Sequence, residues 1–318
     1  MDSAGLVRRA VADFAAAHLS GPEVCVGLSG GPDSLALTAA AVRAGLDVTA
    51  LVVDHGLQPD SARVAEAAGD VAGTLGARAR ILPVRVDRHG GLEAGARAAR
   101  YAALDDARDG RPVLLGHTAD DQAETVLLGL ARGSGSRSIA GMRAWNNPWA
   151  RPFLGVRRQQ TLAACTEFGL APHQDRHNRD PRFTRVRLRT EVLPLLEEVL
   201  HGGVVDALGR TAEGLRADND ALDMWAARVL VEARSDDGLA VAPLRATPQA
   251  VRTRVLRAWL LDVGATEPTH RVISAVAGLM DTRDAGGDRA QVAIGGDPDV
   301  RRVIVRDGET LTVRLTVR

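Results

Sequence analysis

The chain contains no lysine, and all 40 basic residues are arginine. That absence excludes chemistry that needs a lysine side chain: P-loop kinase catalysis, Schiff bases, pyridoxal phosphate anchoring. Cysteine is nearly missing too, with only Cys25 and Cys165, far apart and without CxxC spacing. They provide neither a disulfide framework nor a thiolate metal site. Cys25, inside an apolar run, reads as a small buried hydrophobe. Net charge is zero, 40 acidic residues against 40 basic, so any binding of nucleic acid needs a local patch. No uninterrupted apolar stretch approaches the ~18 residues of a membrane span, and no membrane partner is expected. The first 20 residues carry Arg8, Arg9, Asp13 and His18 through their apolar pattern, which reads as an amphipathic helix rather than a signal peptide. The cytoplasm is the expected compartment.

What is present describes a soluble globular protein: 318 residues, 45% hydrophobic and 25% charged, enough for two domains of ordinary size. From 24 to about 116, short apolar runs alternate with helical patterns. Strands are expected at 24–28, 46–53, 80–86 and 112–116, and helices at 34–44, 59–75, 92–108 and from near 119. Such alternation implies an α/β fold with a parallel, doubly wound sheet. Further helices are expected at 157–168, 191–200, 211–233, 251–261 and 271–280, with a mobile loop at 133–136. The tail, 291–318, alternates apolar with polar residues and reads as a small antiparallel sheet. The expected division is 1–195, an α/β ATP-binding catalytic domain, and 196–318, a mainly helical α+β domain. There is no internal repeat and no low-complexity tract.

Motifs follow three of the strands. Ser29-Gly30-Gly31-Pro32-Asp33-Ser34 comes between the first strand and its helix. Paired glycines let backbone N–H groups approach an anion, and the helix start adds positive charge, so phosphate is the expected ligand. The turn is not a Walker A loop, which needs a lysine after its last glycine. Val53-Asp54-His55-Gly56-Leu57 ends the second strand, where adenine or ribose lies in nucleotide-binding α/β folds; the alternative is a capping Asp and a solvent-facing His. His117-Thr118-Ala119-Asp120-Asp121-Gln122-Ala123-Glu124-Thr125 follows the fourth. Asp121 and Glu124, three apart at a helix start, share one face and suit Mg²⁺ or an ammonium, with plain helix capping as the alternative. Ligands on such sheets bind at the carboxyl ends of strands, so the motifs are expected to face a single crevice. Between 176 and 189 stand six arginines against one acid, Asp180. This density suits RNA phosphates, or is an arginine-rich solvated face. Trp145 and Trp149 are candidates for base stacking, or for packing.

The glycine turn resembles the SGGxDS loop of the PP-loop ATP pyrophosphatases. The motifs together resemble the tRNA(Ile)-lysidine synthetases of that group. Besides the three already quoted, the matching segments are 91–101, Arg132-Gly133-Ser134-Gly135 through Gly141-Met142, Arg151-Pro152-Phe153-Leu154, and Asn178, Arg185, Arg189, Pro194 and Leu195. They keep the family's order over about 24–196, although Val186 stands where the family commonly has asparagine.

The resemblance implies an adenine nucleotide α-hydrolase-like fold and a two-step ligation. ATP adenylates O2 of the wobble cytidine and releases pyrophosphate; the ε-amine of free L-lysine then attacks C2 and AMP departs. It implies ATP and Mg²⁺ as cofactors and tRNA(Ile) with a CAU anticodon as partner, and leaves a homodimer open. ATP falls to Ser29, Gly30, Gly31, Pro32, Asp33, Ser34, Val53, Asp54, His55 and His117. Catalysis falls to Asp33, Arg97, Asp120, Asp121 and Glu124, with Mg²⁺ on Asp33 and Asp121. RNA contacts fall to Arg176, Arg179, Arg182, Arg185 and Arg189. Longer members carry a further tRNA-binding module, and this chain is expected to have only the first. The alternatives are a PP-loop tRNA thiolase, whose relatives usually need cysteines that Cys25 and Cys165 do not supply, and a non-catalytic ATP- or tRNA-binding module.

Overall fold

The computed structural model describes residues 2–56, 60–86, 92–133, 135–173, 180–281, 290–296 and 300–317. The chain divides into two compact units, Met1–Gly214 and Leu215–Arg318. Among the described residues no helix is long and apolar enough to cross a membrane.

In the first unit the order is α1 (Ser3–His18), β1 (Glu23–Leu28), α2 (Pro32–Arg43), β2 (Asp47–Asp54), α3 (Ser61–Thr74), β3 (Arg78–Pro83), α4 (Leu92–Ala107), β4 (Val113–Leu114) and α5 (Ala119–Ala131). Then come α6 (Ser136–Ile139), β5 (Trp145–Asn146), β6 (Trp149–Ala150), α7 (Arg158–Glu167), α8 (Thr184–Arg187), a π-helical turn (Leu188–Val192), α9 (Leu193–Val199) and the start of α10 (Val204–Ala233). The sheet runs β3-β2-β1-β4-β6-β5, parallel throughout except for the antiparallel β5.

Side chains alternate across β1. Val24, Val26 and Leu28 enter a core with Val7 and Val11 of α1, the small buried face of α2 and Ala164 of α7. Cys25 points to the other face, against Leu51 and Leu104 of α4. Helices therefore cover both faces, as a two-sided apolar strand requires. Strand order reverses at β1, whose neighbours are β2 and β4. The crevice of a doubly wound sheet opens at that reversal.

The structure departs locally from the expected pattern. The strand read at 112–116 pairs only as Val113–Leu114, although Leu115 N still donates to Ala150 O at 2.8 Å. The edge hairpin β5–β6, around a cis Asn147–Pro148 bond, has no counterpart in the sequence reading. Two-residue strands carry no periodicity. Its tryptophans pack inward: Trp149 meets Tyr101 edge-on at 4.7 Å, and Trp145 stacks with His18 at 6.1 Å. The segment expected as a mobile loop runs into α6, and residue 134 lies outside the described residues. α10 begins at Val204 rather than near 211, because the Glu197 carboxylate accepts from the amides of Val204 and Val205 at 3.0 and 3.1 Å. Those bonds satisfy the first orphan donors of the helix and lower the Glu197 carboxyl below its ordinary range.

The second unit holds the rest of α10, β7 (Arg234–Ser235), β8 (Gly238–Ala240), α11 (Val241–Arg245), α12 (Gln249–Asp262), α13 (His270–Leu279), β9 (Gln291–Gly296), β10 (Val300–Asp307) and β11 (Thr310–Val317). Its strands form an antiparallel sheet, β7-β8-β11-β10-β9. The core includes Leu239, Leu256, Trp259, Val276, Ile304 and Leu311.

Candidate active site

The glycine turn leaves β1 and enters α2 with Gly30 at φ +78°, a conformation glycine adopts without strain. Ser34 Oγ closes the turn: it donates to Gly31 O at 3.0 Å and accepts from Ser29 N at 3.1 Å. Pro32 stands at the start of the helix, and among the described residues no side chain caps it, which leaves its positive end to a ligand. Across the turn Gly116 follows β4. A Cβ there would lie 3.0 Å from Asp33 C and O and Ser34 N, so only glycine lets the two segments approach this closely.

The expected acidic pocket is occupied by arginines. Thr118 caps α5, and Asp121 Oδ2 accepts from Thr118 N and Oγ1, both at 2.8 Å. Asp121 Oδ1 meets Arg158 Nη2 at 2.8 Å and Arg189 Nη2 at 3.4 Å. Arg158 Nη2 also reaches Asp33 Oδ2 at 3.3 Å, while Thr161 Oγ1 donates to Asp33 Oδ1. Glu124, fully buried, holds Arg189 at 2.7 Å and stands 3.5 Å from Arg185. Asp120 accepts from Arg158 N at 2.7 Å and from the Arg157 guanidinium at 3.3 Å. It docks the start of α7 against the start of α5.

Burial raises the Asp33 and Glu124 carboxyls above their ordinary range, against the pull of Arg158 and Arg189 respectively. Burial would raise Asp121 as well, but Arg158 and the Thr118 hydrogen bonds hold it low. His117 is pushed down to about 3 by burial, against Asp121, with Arg151, Arg100 and Arg97 adding to the fall. It is neutral at physiological pH, and its buried Nδ1 has no hydrogen-bond partner among the described residues.

Two cavities meet at the turn. One, of about 260 Å³, is lined by Val53, Asp54, His55, Ser61, Val64 and Arg100 together with Ser29 and Gly31. The other, of about 470 Å³, is lined by Asp33, Ser34, His117, Asp121, Arg158 and Arg189, again with Ser29, Gly31 and Arg100. The three strand-end motifs thus share one cleft. Glu124 and Asp120 line neither cavity, nor does Arg97, which stacks on Tyr101 and donates to its hydroxyl at 3.2 Å. Gly30 faces a neighbouring, largely apolar cavity beside α3. Arg182 pairs with Asp180 and Arg187 with Glu191, so each arginine described between 180 and 189 has an acidic partner. Arg176, Asn178 and Arg179 lie outside the described residues.

Arg100, Gly116, Arg158, Thr161 and His173 line or brace the cleft without having been singled out in the sequence. Arg100 had a nearby signal, standing in the segment 91–101 three residues after Arg97, and so did Gly116, directly before His117. A nucleotide fits the uncapped helix start, the paired cavities and the orphan His117 nitrogen. A metal ion on Asp33 or Asp121 would first have to displace the donors that they hold. Both Asp33 oxygens and both Asp121 oxygens are engaged, and among the described residues no three His, Cys, Asp or Glu side chains are grouped to hold an ion. The cysteines are buried in separate elements, β1 and α7, and burial raises both thiols, Cys165 to about 11.

A parallel sheet carrying an SGGPDS turn at its reversal point defines a PP-loop ATP-binding protein, and the family model described as PP-loop domain matches residues 6–196. A second model, the TilS substrate binding domain, matches 239–306. A tRNA(Ile)-lysidine synthase of Nocardia farcinica is 57% identical over 318 residues, covering 98% of this chain and 99% of the relative. One of Mycobacterium tuberculosis is 56% identical over 314 residues, 95% and 94% of the two chains. The chain belongs to the tRNA(Ile)-lysidine synthase family. Among solved structures, the U34-tRNA thiolase NcsA of Methanococcus maripaludis matches with a TM-score of 0.54 at 17% identity, covering 66% of this chain and 78% of the other; the likeness is one of fold.

Proposed function

We propose that this chain joins free L-lysine to C2 of the wobble cytidine of tRNA(Ile) with a CAU anticodon, consuming ATP to AMP and pyrophosphate. The product, lysidine, changes the codon read from AUG to AUA. The observation that carries this reading is the meeting of a nucleotide cradle and a carboxylate-bearing cavity at one glycine turn. In the first step cytidine O2 attacks the α-phosphorus, the Pα–O bond to the β-phosphate breaks, and pyrophosphate leaves. In the second the lysine ε-amine attacks C2, the C2–O bond breaks, and AMP leaves.

The adenosine end lies against Val53, Asp54 and His55, and the phosphates lie on the turn and the start of α2. Asp121 faces the incoming ammonium. It must lend its Oδ1 from Arg158 and Arg189 to hold that group and take its proton. Asp33, Asp120 and Glu124 act from outside the reaction, by seating Arg158, α7 and Arg189. Mg²⁺ arrives on the phosphates of ATP rather than in a preformed protein site. Arg182 and Arg187, exposed and paired with Asp180 and Glu191, exchange those partners for RNA phosphates; Arg176 and Arg179 join them. Residues 1–195 supply catalysis and 196–318 recognise tRNA, in the cytoplasm. The buried, protonated thiols give a thiolase reading nothing to work with.

The test is labelled-lysine incorporation into tRNA(Ile) by purified protein with ATP and Mg²⁺, with AMP and pyrophosphate measured beside it. Incorporation stoichiometric with AMP is expected. Incorporation without ATP, or AMP release that lysine and tRNA do not affect, would sink the reading.

A further inference from the structure

One charge in the cleft has no counter-ion. Asp33, Asp120, Asp121 and Glu124 each hold an arginine, but among the described residues no carboxylate pairs with Arg100 and no hydrogen bond reaches its guanidinium. The group lies against the end of β1: a Cβ on Gly27 would stand 3.6 Å from Arg100 Nη2. Arg97 opposes its charge, and Arg97, Arg100 and Arg151 together oppose protonation of His117. His117 Nδ1, buried and unpartnered, belongs to the same cleft. A desolvated cation without a bonded counter-ion is costly unless an anion completes the site.

Position selects the anion. Ser29, Gly31, Arg100 and His173 are the residues common to both cavities. A nucleotide with its base end at Val53 and its β- and γ-phosphates in the cavity of Asp33 and Ser34 places its α-phosphate, the reacting one, at that junction. We propose that Arg100 binds the α-phosphate of ATP and keeps it through to AMP. The inference rests on the reading above and deepens it by assigning the charge that follows the transferred group. When O2 attacks, the bonding pair of Pα–O leaves with pyrophosphate, and negative charge gathers on the equatorial α-oxygens. A planar guanidinium can hold two of those oxygens at once. In a chain without lysine, a fixed side-chain charge for this task has to be arginine.

Binding of adenosine, AMP and ATP to the full chain, without lysine or tRNA, separates the possibilities. Wild type is compared with Arg100→Gln and Arg100→Lys by calorimetry, with thermal unfolding as the check on fold. The Gln variant should bind AMP and ATP at least about tenfold more weakly and adenosine about equally, with partial recovery in the Lys variant. Unchanged AMP affinity overturns the proposal. So does a loss confined to ATP, which would put Arg100 on the β- or γ-phosphate. Equal losses for adenosine and AMP, or an unfolded Gln variant with a folded Lys variant that binds AMP as wild type does, would make Arg100 structural. Wild type that binds none of the nucleotides would fail the functional reading itself.

Discussion

Cutting Arg189 back to methionine should cost the first unit more stability than deleting the whole ion pair it makes. The Glu124 side chain has no exposure, whereas that of Arg189 is 23% exposed, and they approach to 2.7 Å. At an effective dielectric of about 20 that separation gives roughly 6 kcal/mol of attraction. Dehydrating the carboxylate takes back several kcal/mol, so the pair as a whole contributes little. In Arg189→Met the carboxylate keeps Arg185, 3.5 Å away and 40% exposed, and the weaker pull of Arg158. Breaking a buried pair in this way costs about 3 kcal/mol at pH 7. Glu124→Gln/Arg189→Met removes both charges and should cost about 1 kcal/mol. The sign with pH follows. Burial already raises the Glu124 carboxyl, and losing Arg189 raises it further, so the variant's deficit shrinks as pH falls and Glu124 takes up a proton. Urea unfolding read by hydrogen exchange of α5 amides reports on this unit separately from the other. A single variant that loses less than about 0.5 kcal/mol, or a double variant that loses the sum of the singles, would refute the reasoning.

His117 is neutral when folded, with its pKa near 3 against 6.5 for the free group. The unfolded chain therefore takes up that proton first, and stability is lost as pH falls from 6.5 toward 3. His117→Gln should remove about 2 kcal/mol of the loss between pH 7 and 5, and parallel denaturation curves for the two proteins would contradict this. Gly116→Ala drives a methyl into the Asp33 and Ser34 backbone at 3.0 Å. It should cost about 1–3 kcal/mol and weaken ATP binding, while Gly73→Ala, with nothing within 4 Å, should be neutral or stabilising in the same melts. Asp120→Asn keeps an acceptor for Arg158 N and should leave partial lysine incorporation at a stability cost of about 1 kcal/mol. Asp121→Asn should abolish incorporation with the fold intact. The reverse ranking would exchange the two roles.

The glycine turn, the βα alternation and the three strand-end motifs were legible because each is a local matter. Turn geometry and apolar period are set by neighbours in sequence, and a parallel sheet brings its strand ends to one edge. From such local facts the chain could be read as a nucleotide-binding α/β protein. Other features depend on neighbours distant in sequence. Arg97 and Arg100 lie on one helix about 60° apart, and the rotation of α4 against the sheet decides that Arg100 faces the cleft while Arg97 packs on Tyr101. Asp120 and Asp121 are adjacent, yet one docks α7 and the other enters the cavity. Their partner Arg158 is 38 and 37 residues away. The π-helical turn that carries Arg189 comes just before Pro194 in α9, and apolar period does not announce it. Residue order alone was enough to set phosphate chemistry beside carboxylates. Which carboxylates are neutralised, and which cation of the cleft has no ionic partner among the described residues, came from the folded arrangement, because charges pair by distance in space, and that distance is settled by packing between elements remote along the chain.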